Sequence, residues 1–363
     1  WRTVSWVDQD GRFLGYPKPD AEKIHGLKQR IMLDDDPGPV FSNIEHLKEM
    51  QRSHAVTAYL TFVIRYVVGW IAKEREALIR DRDIAWFVNL GMAAANYDDE
   101  NLVRQYRQIG AAALLLAGAP DDITIGATAA FLANENVTKA ADDPEHAEQL
   151  GIAVIPETAA EATGFAKSTD RAAGLYLMVD IGAMTLDVCL FRLKTGKNGT
   201  DQYPILMADV RPLGVEAYYW HKKDGQTEED FIQQCNYCLR NAIWKTRSKR
   251  DPKAPCWSKG NQLVTFLTGG GAENPLHQDI ANSLGPWLRT HTENSGIRNV
   301  TIQIPETLEA PEPMADFGRL SVAWGLSYPP TEIGEIKPSS TIEDIEPLKA
   351  FDISSSYISK DQV

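Results

Sequence analysis

Leu175-Tyr-Leu-Met-Val-Asp180-Ile-Gly182-Ala183-Met184-Thr185-Leu-Asp187-Val-Cys-Leu-Phe-Arg192 is the stretch on which the fold turns. One apolar run delivers Asp180, a small-residue turn carries Thr185, and a second apolar run carries Asp187. That pattern predicts a β-hairpin with a carboxylate closing its first strand and a hydroxyl in its turn. Such a turn offers backbone N–H groups to a phosphate while Asp180 holds a Mg2+-bound water. A buried hairpin with a merely small turn has the same sequence, so the stretch alone leaves both readings open.

Two neighbouring motifs bear on the choice. Downstream, Gln262 to Thr268 reads as a strand running into Gly269-Gly270-Gly271-Ala272, where the backbone comes closer to a ligand than any side chain permits. A helix starting near Asn274 would add a field favourable to phosphate. Upstream, Ile152 to Ile155 reads as a strand ending at Pro156-Glu157, followed by a small-residue helix from Thr158 to Lys167. Glu157 taken alone is better explained as a helix N-terminal acid that complements the macrodipole.

Further out, Trp1 to Leu14 reads as two short strands around an Asp8-Gln-Asp10-Gly11 turn. Glu22 to Leu33 reads as a short helix, Ala55 to Arg80 as a long one, and Ile84 to Val88 as a buried strand. Asp98 to Ala117 has helical period, with Leu102, Tyr106, Ile109, Ala113 and Leu116 on one face. Gly118 to Gln149 is Ala- and Asp-rich, with a helical patch at Ala127 to Glu135. Asp209 to Gly214 ends a strand, Glu228 to Thr246 is an amphipathic helix, and Phe317 to Ser327 is helical with Ala323 and Gly325 on a close-packing face. Ile342 to Ala350 reads as a terminal helix. Strands alternating with helices give an α/β fold.

Composition narrows the function classes. With 363 residues, 43% hydrophobic and 24% charged, the chain has the make-up of a globular protein of two or three domains or one two-lobed unit. A formal charge of -13 argues against a nucleic-acid surface. Four cysteines are too few for a disulfide scaffold and point to a reducing, cytoplasmic setting. The apolar stretch Ala55 to Ala72 is interrupted by Thr57, Thr61, Arg65 and Gly69, which predicts a core helix and no membrane association. Cys235, Cys238, Cys256 and His221 make a weak zinc set, because two cysteines three apart on a helix both face a core.

In order, these motifs resemble the actin-like ATPase superfamily, and most closely the nucleotide-binding domain of the 70-kDa heat-shock proteins. The Asp180 hairpin looks like the second phosphate motif and Gly269 to Gly271 like the adenosine motif. Pro156 to Ala160 and Ala323 to Gly325 look like the two connecting motifs. Ala85 to Gly91 with the following helix, Gly15, and Leu27 to Ile31 extend the likeness. The resemblance implies a two-lobed, ribonuclease H-like fold in which each lobe is a mixed sheet with flanking helices. The first lobe would be 1–150, with an inserted helical segment near 118–149. The second would be 151–330, with a reduced nucleotide-capping subdomain at about 215–260, and 331–363 a helix and tail. The family's first phosphate motif, an N-terminal hairpin with a Gly-Thr-rich turn, is not found in Trp1 to Leu14. The expectation is that it lies before Trp1 or is lacking.

What the resemblance implies chemically is Mg2+-dependent ATP binding and hydrolysis, with ATP or ADP and Mg2+ as ligands. Asp180 would hold Mg2+ through water, Glu157 would position the attacking water, and Lys28 would neutralise developing charge. Gly182, Ala183, Met184 and Thr185 would wrap phosphates, and Gly269, Gly270 and Gly271 would pack on adenosine. Lys245 and Arg240 would lie on the adenine side, with Asp187 a structural acid. Lobe closure would signal to a protein partner or client. Met184 stands where the chaperones have glycine, implying a different turn or a strained one. That keeps a catalytically inactive regulatory or scaffold protein in play, alongside a polymerising actin-like filament protein. A sugar kinase lacks a sugar-specific acid cluster here.

Overall fold

In the computed structural model the described residues are 4–25, 47–48, 50–306, 308 and 317–345. The chain divides into two compact units, Trp1–Met92 with Asp99–Pro156, and Ala93–Asp98 with Glu157–Val363.

The first unit opens with an antiparallel sheet of β1 (Val4–Val7), β2 (Phe13–Leu14) and β3 (Glu22–His25), in the order β2-β1-β3. The Asp8 turn forms as expected, its carboxylate accepting the amides of Asp10 and Arg12 at 3.0 Å each. The helix expected from Glu22 does not start there. Glu22–His25 pairs along the whole of β1 and buries Ile24, so strand pairing overrides a helical spacing of apolar residues. The rest of that segment, including Lys28, lies outside the described residues.

The long helix α1 (Arg52–Glu74) is followed by the single-turn α2 (Glu76–Ile79). Its first half buries His54, Ala55, Thr57, Ala58 and Thr61, where it packs along α3 (Glu100–Gly118). Arg65 donates to the carbonyls of Leu116, Ala117, Ala119 and Asp121, satisfying the open C-terminal turn of α3. The second half exposes Tyr66, Val67 and Trp70, so the core-helix expectation holds for only half its length. By length and composition the helix is long and apolar enough to cross a membrane.

The strand expected at Ile84 begins four residues later. β4 (Val88–Met92) pairs in parallel with β5 (Ile152–Pro156) from Val88 opposite Ile152, and just before that point Gly151, at φ +79°, breaks the extended backbone of the partner chain. Ile84 and Phe87 are therefore exposed. Among the described residues this unit thus carries two small sheets, not one mixed sheet. Residues 118–149 form α4 (Ile125–Leu132), α5 (Glu135–Asp142) and α6 (Pro144–Gln149), capped by the side chains of Thr124, Asn134 and Asp143. The cap at Asn134 splits the helical patch expected at Ala127 to Glu135. On α3 it is Val103, not Leu102, that joins Tyr106, Ile109, Ala113 and Leu116 in the buried face.

Besides Ala93–Asp98, the second unit runs from α7 (Glu157–Ala166) onward. A meander follows: β6 (Gly174–Ile181), β7 (Leu186–Thr195) and β8 (Asp201–Arg211). Next come α8 (Val215–Lys223), α9 (Glu228–Lys245), β9 (Leu263–Thr268), α10 (Pro275–Asn282), α11 (Leu284–His291) and β10 (Ile297–Val300). The chain then runs through α12 (Ser321–Leu326), α13 (Pro330–Ile333) and β11 (Glu335–Lys337). The six strands form one mixed sheet, β10-β9-β6-β7-β8-β11. β6, β7 and β8 are antiparallel, while β9 runs parallel to β6, β10 to β9 and β11 to β8. The protein is therefore mixed α/β.

Period-two alternation divides the residues of β6. Leu175, Leu177, Val179 and Ile181 join Phe231, Cys235, Cys238, Leu239 and Ala242 of α9 in one core. Residues 215–260 thus pack into the body of this unit. On the other face, Tyr176 meets Phe165 of α7 and Phe266 of β9, with ring centroids 5.4 and 5.6 Å apart. Asp180 shares that α7 face.

Two C-terminal expectations change. The Phe317 to Ser327 helix is divided into a single 3-10 turn at Phe317–Arg319 and α12. Ile342 to Ile345 is not helical: Asp344 pairs with Arg250 at 2.7 Å, and the Ile345 amide donates to the Lys249 carbonyl. Residues 346–350 lie outside the described residues.

His277 of α10 is buried beside the Leu213 carbonyl, 2.9 Å from Nε2. Burial holds its pKa below the usual 6.5. The unfolded chain then binds the extra proton first, so stability is full above pH 6.5 and falls as pH drops below it. The difference in urea midpoint between wild type and His277→Gln is therefore expected to move against the wild type as pH is lowered from about 7.5 to 5.5, because only the wild type has that proton to take up on unfolding.

Candidate functional site

Three carboxylates converge at the end of the hairpin. Asp180 and Asp187 are direct cross-strand partners, and Asp180 is flanked on its other side by Thr268 at the end of β9. Glu157 is the first residue of α7, the helix that covers this face of the sheet. One oxygen each of Glu157, Asp180 and Asp187 lie within 4.8 Å of one another, all half-buried. β6 and β9 are parallel and end side by side here, the position where ligands meet the strands of α/β sheets.

The hairpin turn has a definite polarity. Gly182 closes it by donating to the Thr185 carbonyl at 2.9 Å. The carbonyls of Gly182, Ala183 and Met184 accept the amides of Val215, Glu216 and Gly214, which are the open donors at the start of α8. Among the described residues, the amides of Ala183, Met184 and Thr185 donate to no protein acceptor. Met184 is not in the left-handed region, so the anomaly noted in the sequence resolves as a different turn without backbone strain.

The glycine turn is built into the same corner. Gly269 has φ +82°, and a Cβ there would lie 2.0 Å from Asp180 Oδ1 and 2.5 Å from the Ile181 carbonyl oxygen. Only glycine supplies both that φ and that contact. The Gly271 amide donates to the Ile181 carbonyl at 2.7 Å, and the expected helix follows, capped by Asn274. Arg319 lies against Gly270, its Nε 2.9 Å from where a Cβ would stand.

A fourth carboxyl, Glu161, sits one turn along α7 from Glu157 and is 1% exposed. Its Oε2 accepts from the Thr268 hydroxyl at 3.2 Å, and its Oε1 lies 3.1 Å from the Ser321 hydroxyl. Burial, then the neighbouring charge of Asp180, pushes its pKa well above the ordinary carboxyl range. α7 meets α12 beside it, where Gly325 rests on the Ala160 backbone.

Of the residues singled out in the sequence, the structure brings together Glu157, Asp180, Gly182 to Thr185 and Gly269 to Gly271. Lys28 lies outside the described residues. Lys245 is exposed at the last turn of α9, and among the described residues no hydrogen bond or ion pair ties it to the carboxylates or the glycine turn. Arg240 instead stacks over Trp287. Sequence reasoning set Asp187 aside as structural and missed Glu161, Thr268, Ser321 and Arg319. Asp187 was within reach, because a hairpin centred between Ala183 and Met184 sets it opposite Asp180. Nothing local marks the other four.

The weak zinc set does not assemble. Cys235 and Cys238 point into the core, and His221 contacts Gln226 and the Pro212 carbonyl. Burial pushes the thiols of Cys189, Cys235 and Cys256 up to about 12. A thiol reagent at about pH 8 is therefore expected to leave all four cysteines unmodified in the folded protein and to label them on denaturation.

No family model matches this chain, and no curated protein matches it significantly.

Proposed function

We propose that the second unit forms the metal- and phosphate-binding part of a nucleotide site of the actin-like ATPase superfamily, closest to the 70-kDa heat-shock branch. The protein would bind Mg2+-ATP and hydrolyse it to drive a conformational change toward a protein partner or client. One observation carries the reading: Glu157, Asp180 and Asp187 converge beside a hairpin turn whose amides at Ala183, Met184 and Thr185 donate to no described protein acceptor, and beside a glycine turn that touches Asp180.

The donor set fits the ion. Carboxylate oxygens suit Mg2+, whose octahedral shell spans at most about 4.2 Å between opposite oxygens. Oxygens of Glu157, Asp180 and Asp187 within 4.8 Å of one another would hold the ion, with Asp180 acting through water as the resemblance implies. When bound, the ion supplies positive charge against the phosphates. The amides of Ala183, Met184 and Thr185 cradle phosphate oxygens, and their fixed direction means little reorganisation on binding. The Gly270 and Gly271 backbone, packed on Arg319, Ile181 and Val215, would border the nucleoside. As the resemblance implies, Glu157 would orient a water for in-line attack.

Calorimetry with Mg2+-ATP tests the binding step, and phosphate release tests turnover. Saturable, Mg2+-dependent heat is expected. Its absence overturns the reading, whereas binding without phosphate release selects the catalytically inactive alternative.

A further inference from the structure

Glu161 has no counterpart in the chemistry described so far, yet its hydrogen bonds can be assigned proton by proton. Ser321 Oγ lies 2.9 Å from the Gly318 carbonyl oxygen and 3.1 Å from Glu161 Oε1. A hydroxyl has one proton, and a carbonyl oxygen only accepts. Full burial favours the protonated form of Glu161. A carboxylic acid whose Oε2 already accepts from Thr268 has its own proton free on Oε1 to donate to Ser321 Oγ, which leaves the Ser321 proton for the Gly318 carbonyl. The chain then runs in one direction: Thr268 O–H to Glu161 Oε2, Glu161 Oε1–H to Ser321 Oγ, Ser321 O–H to Gly318 O.

Both ends of that chain touch the glycine turn. Thr268 precedes Gly269 and pairs across the ladder with Asp180. The Gly269 backbone lies about van der Waals distance from where a Gly318 Cβ would stand, 3.8 Å at its carbonyl oxygen. We propose that Glu161 is a positioning residue: a neutral carboxylic acid that ties β9 to the segment leading into α12, and so holds the Gly269 turn against Asp180. This rests on the nucleotide-site reading above.

The chemistry separates two roles for this carboxyl. A metal ligand or base needs the charge; a proton-donating tie needs only the shape. Glutamine reproduces the tie, its amide N–H replacing Oε1–H and its carbonyl accepting from Thr268. Titration of MgCl2, and then of Mg2+-ATP, into wild type and variants reads the difference. Glu161→Gln is expected to keep the wild-type affinity within about twofold. Glu161→Leu and Ser321→Ala are expected to weaken it by at least about tenfold. The Glu161→Leu, Ser321→Ala double variant is expected to be no weaker than Glu161→Leu alone, since both break one chain. Should Glu161→Leu not fold, Ser321→Ala carries the same comparison. In the infrared spectrum at neutral pH, a carboxylic-acid C=O stretch is expected in wild type and missing in Glu161→Gln.

Loss of binding in Glu161→Gln as deep as in Glu161→Leu overturns the proposal, because the charge is then what matters. Full affinity in Glu161→Leu or Ser321→Ala overturns it too. A wild type that binds neither titrant overturns the nucleotide reading and the positioning role with it. The infrared band then decides the proton chain separately, and its absence in wild type overturns that chain.

Discussion

Asp180→Asn is expected to lower Mg2+-ATP turnover by at least about a hundredfold, the usual cost of removing one group aimed at transferring charge. Asp180 stands between Asp187 and Thr268 in the sheet, with Gly269 pressed on its Oδ1. Asparagine keeps that shape and removes only the charge. The substitution also takes one of three carboxylate charges from within 4.8 Å of its neighbours, and a thermal melt without ligand reads what that does to the fold. Lost turnover with undiminished stability marks a functional group; lost turnover with lost stability marks a structural one. Glu157→Gln should behave alike. Phosphate release and a thermal melt of each variant check both arms, and undiminished release in both sinks the catalytic assignment.

The second large effect concerns the crossing of α7 and α12. A Cβ on Gly325 would stand 1.8 Å from the Ala160 carbonyl oxygen and 2.7 Å from its Cα. Those atoms are backbone, and no rotamer change relieves the clash. Gly325→Ala is therefore expected to cost about 3 kcal/mol, at the upper end for overpacking. For a unit of this size that is a fall of about 6–12 °C in thermal midpoint. Gly110→Ala in α3 is the comparison. There the nearest atom to a new Cβ is Leu90 Cδ1 at 2.8 Å, the end of a flexible side chain, and a smaller loss is expected. Equal losses at the two positions would refute the backbone argument.

Sequence reasoning worked where a local pattern carried the information. The hairpin, the strand into the three glycines and the small-residue faces at Ala160 and Gly325 were all legible, because each depends on period, turn chemistry or close approach. β3 was not. Its four residues look helical alone and are extended only because β1 lies beside them. The start of β4 was misread for the same reason, since the ladder begins only where β5 does, after the left-handed Gly151. The site divides likewise. Glu157 and Asp180 end apolar runs and stand out. Glu161, Thr268 and Ser321 belong to three separate segments and become one cluster only when α7, β9 and α12 are packed.

The union of the Gly182 to Thr185 turn with α8 has a mechanical consequence. The turn's carbonyls are held by the first amides of that helix. Any shift of the turn on gaining or losing a phosphate must either break those bonds or drag the helix along as a lever. Tyr219 and Trp220 ride on that lever and are 65% and 55% exposed. A shift of the turn would then move two exposed aromatic rings, and the fluorescence lost in Trp220→Phe would isolate that movement from the protein's other tryptophans.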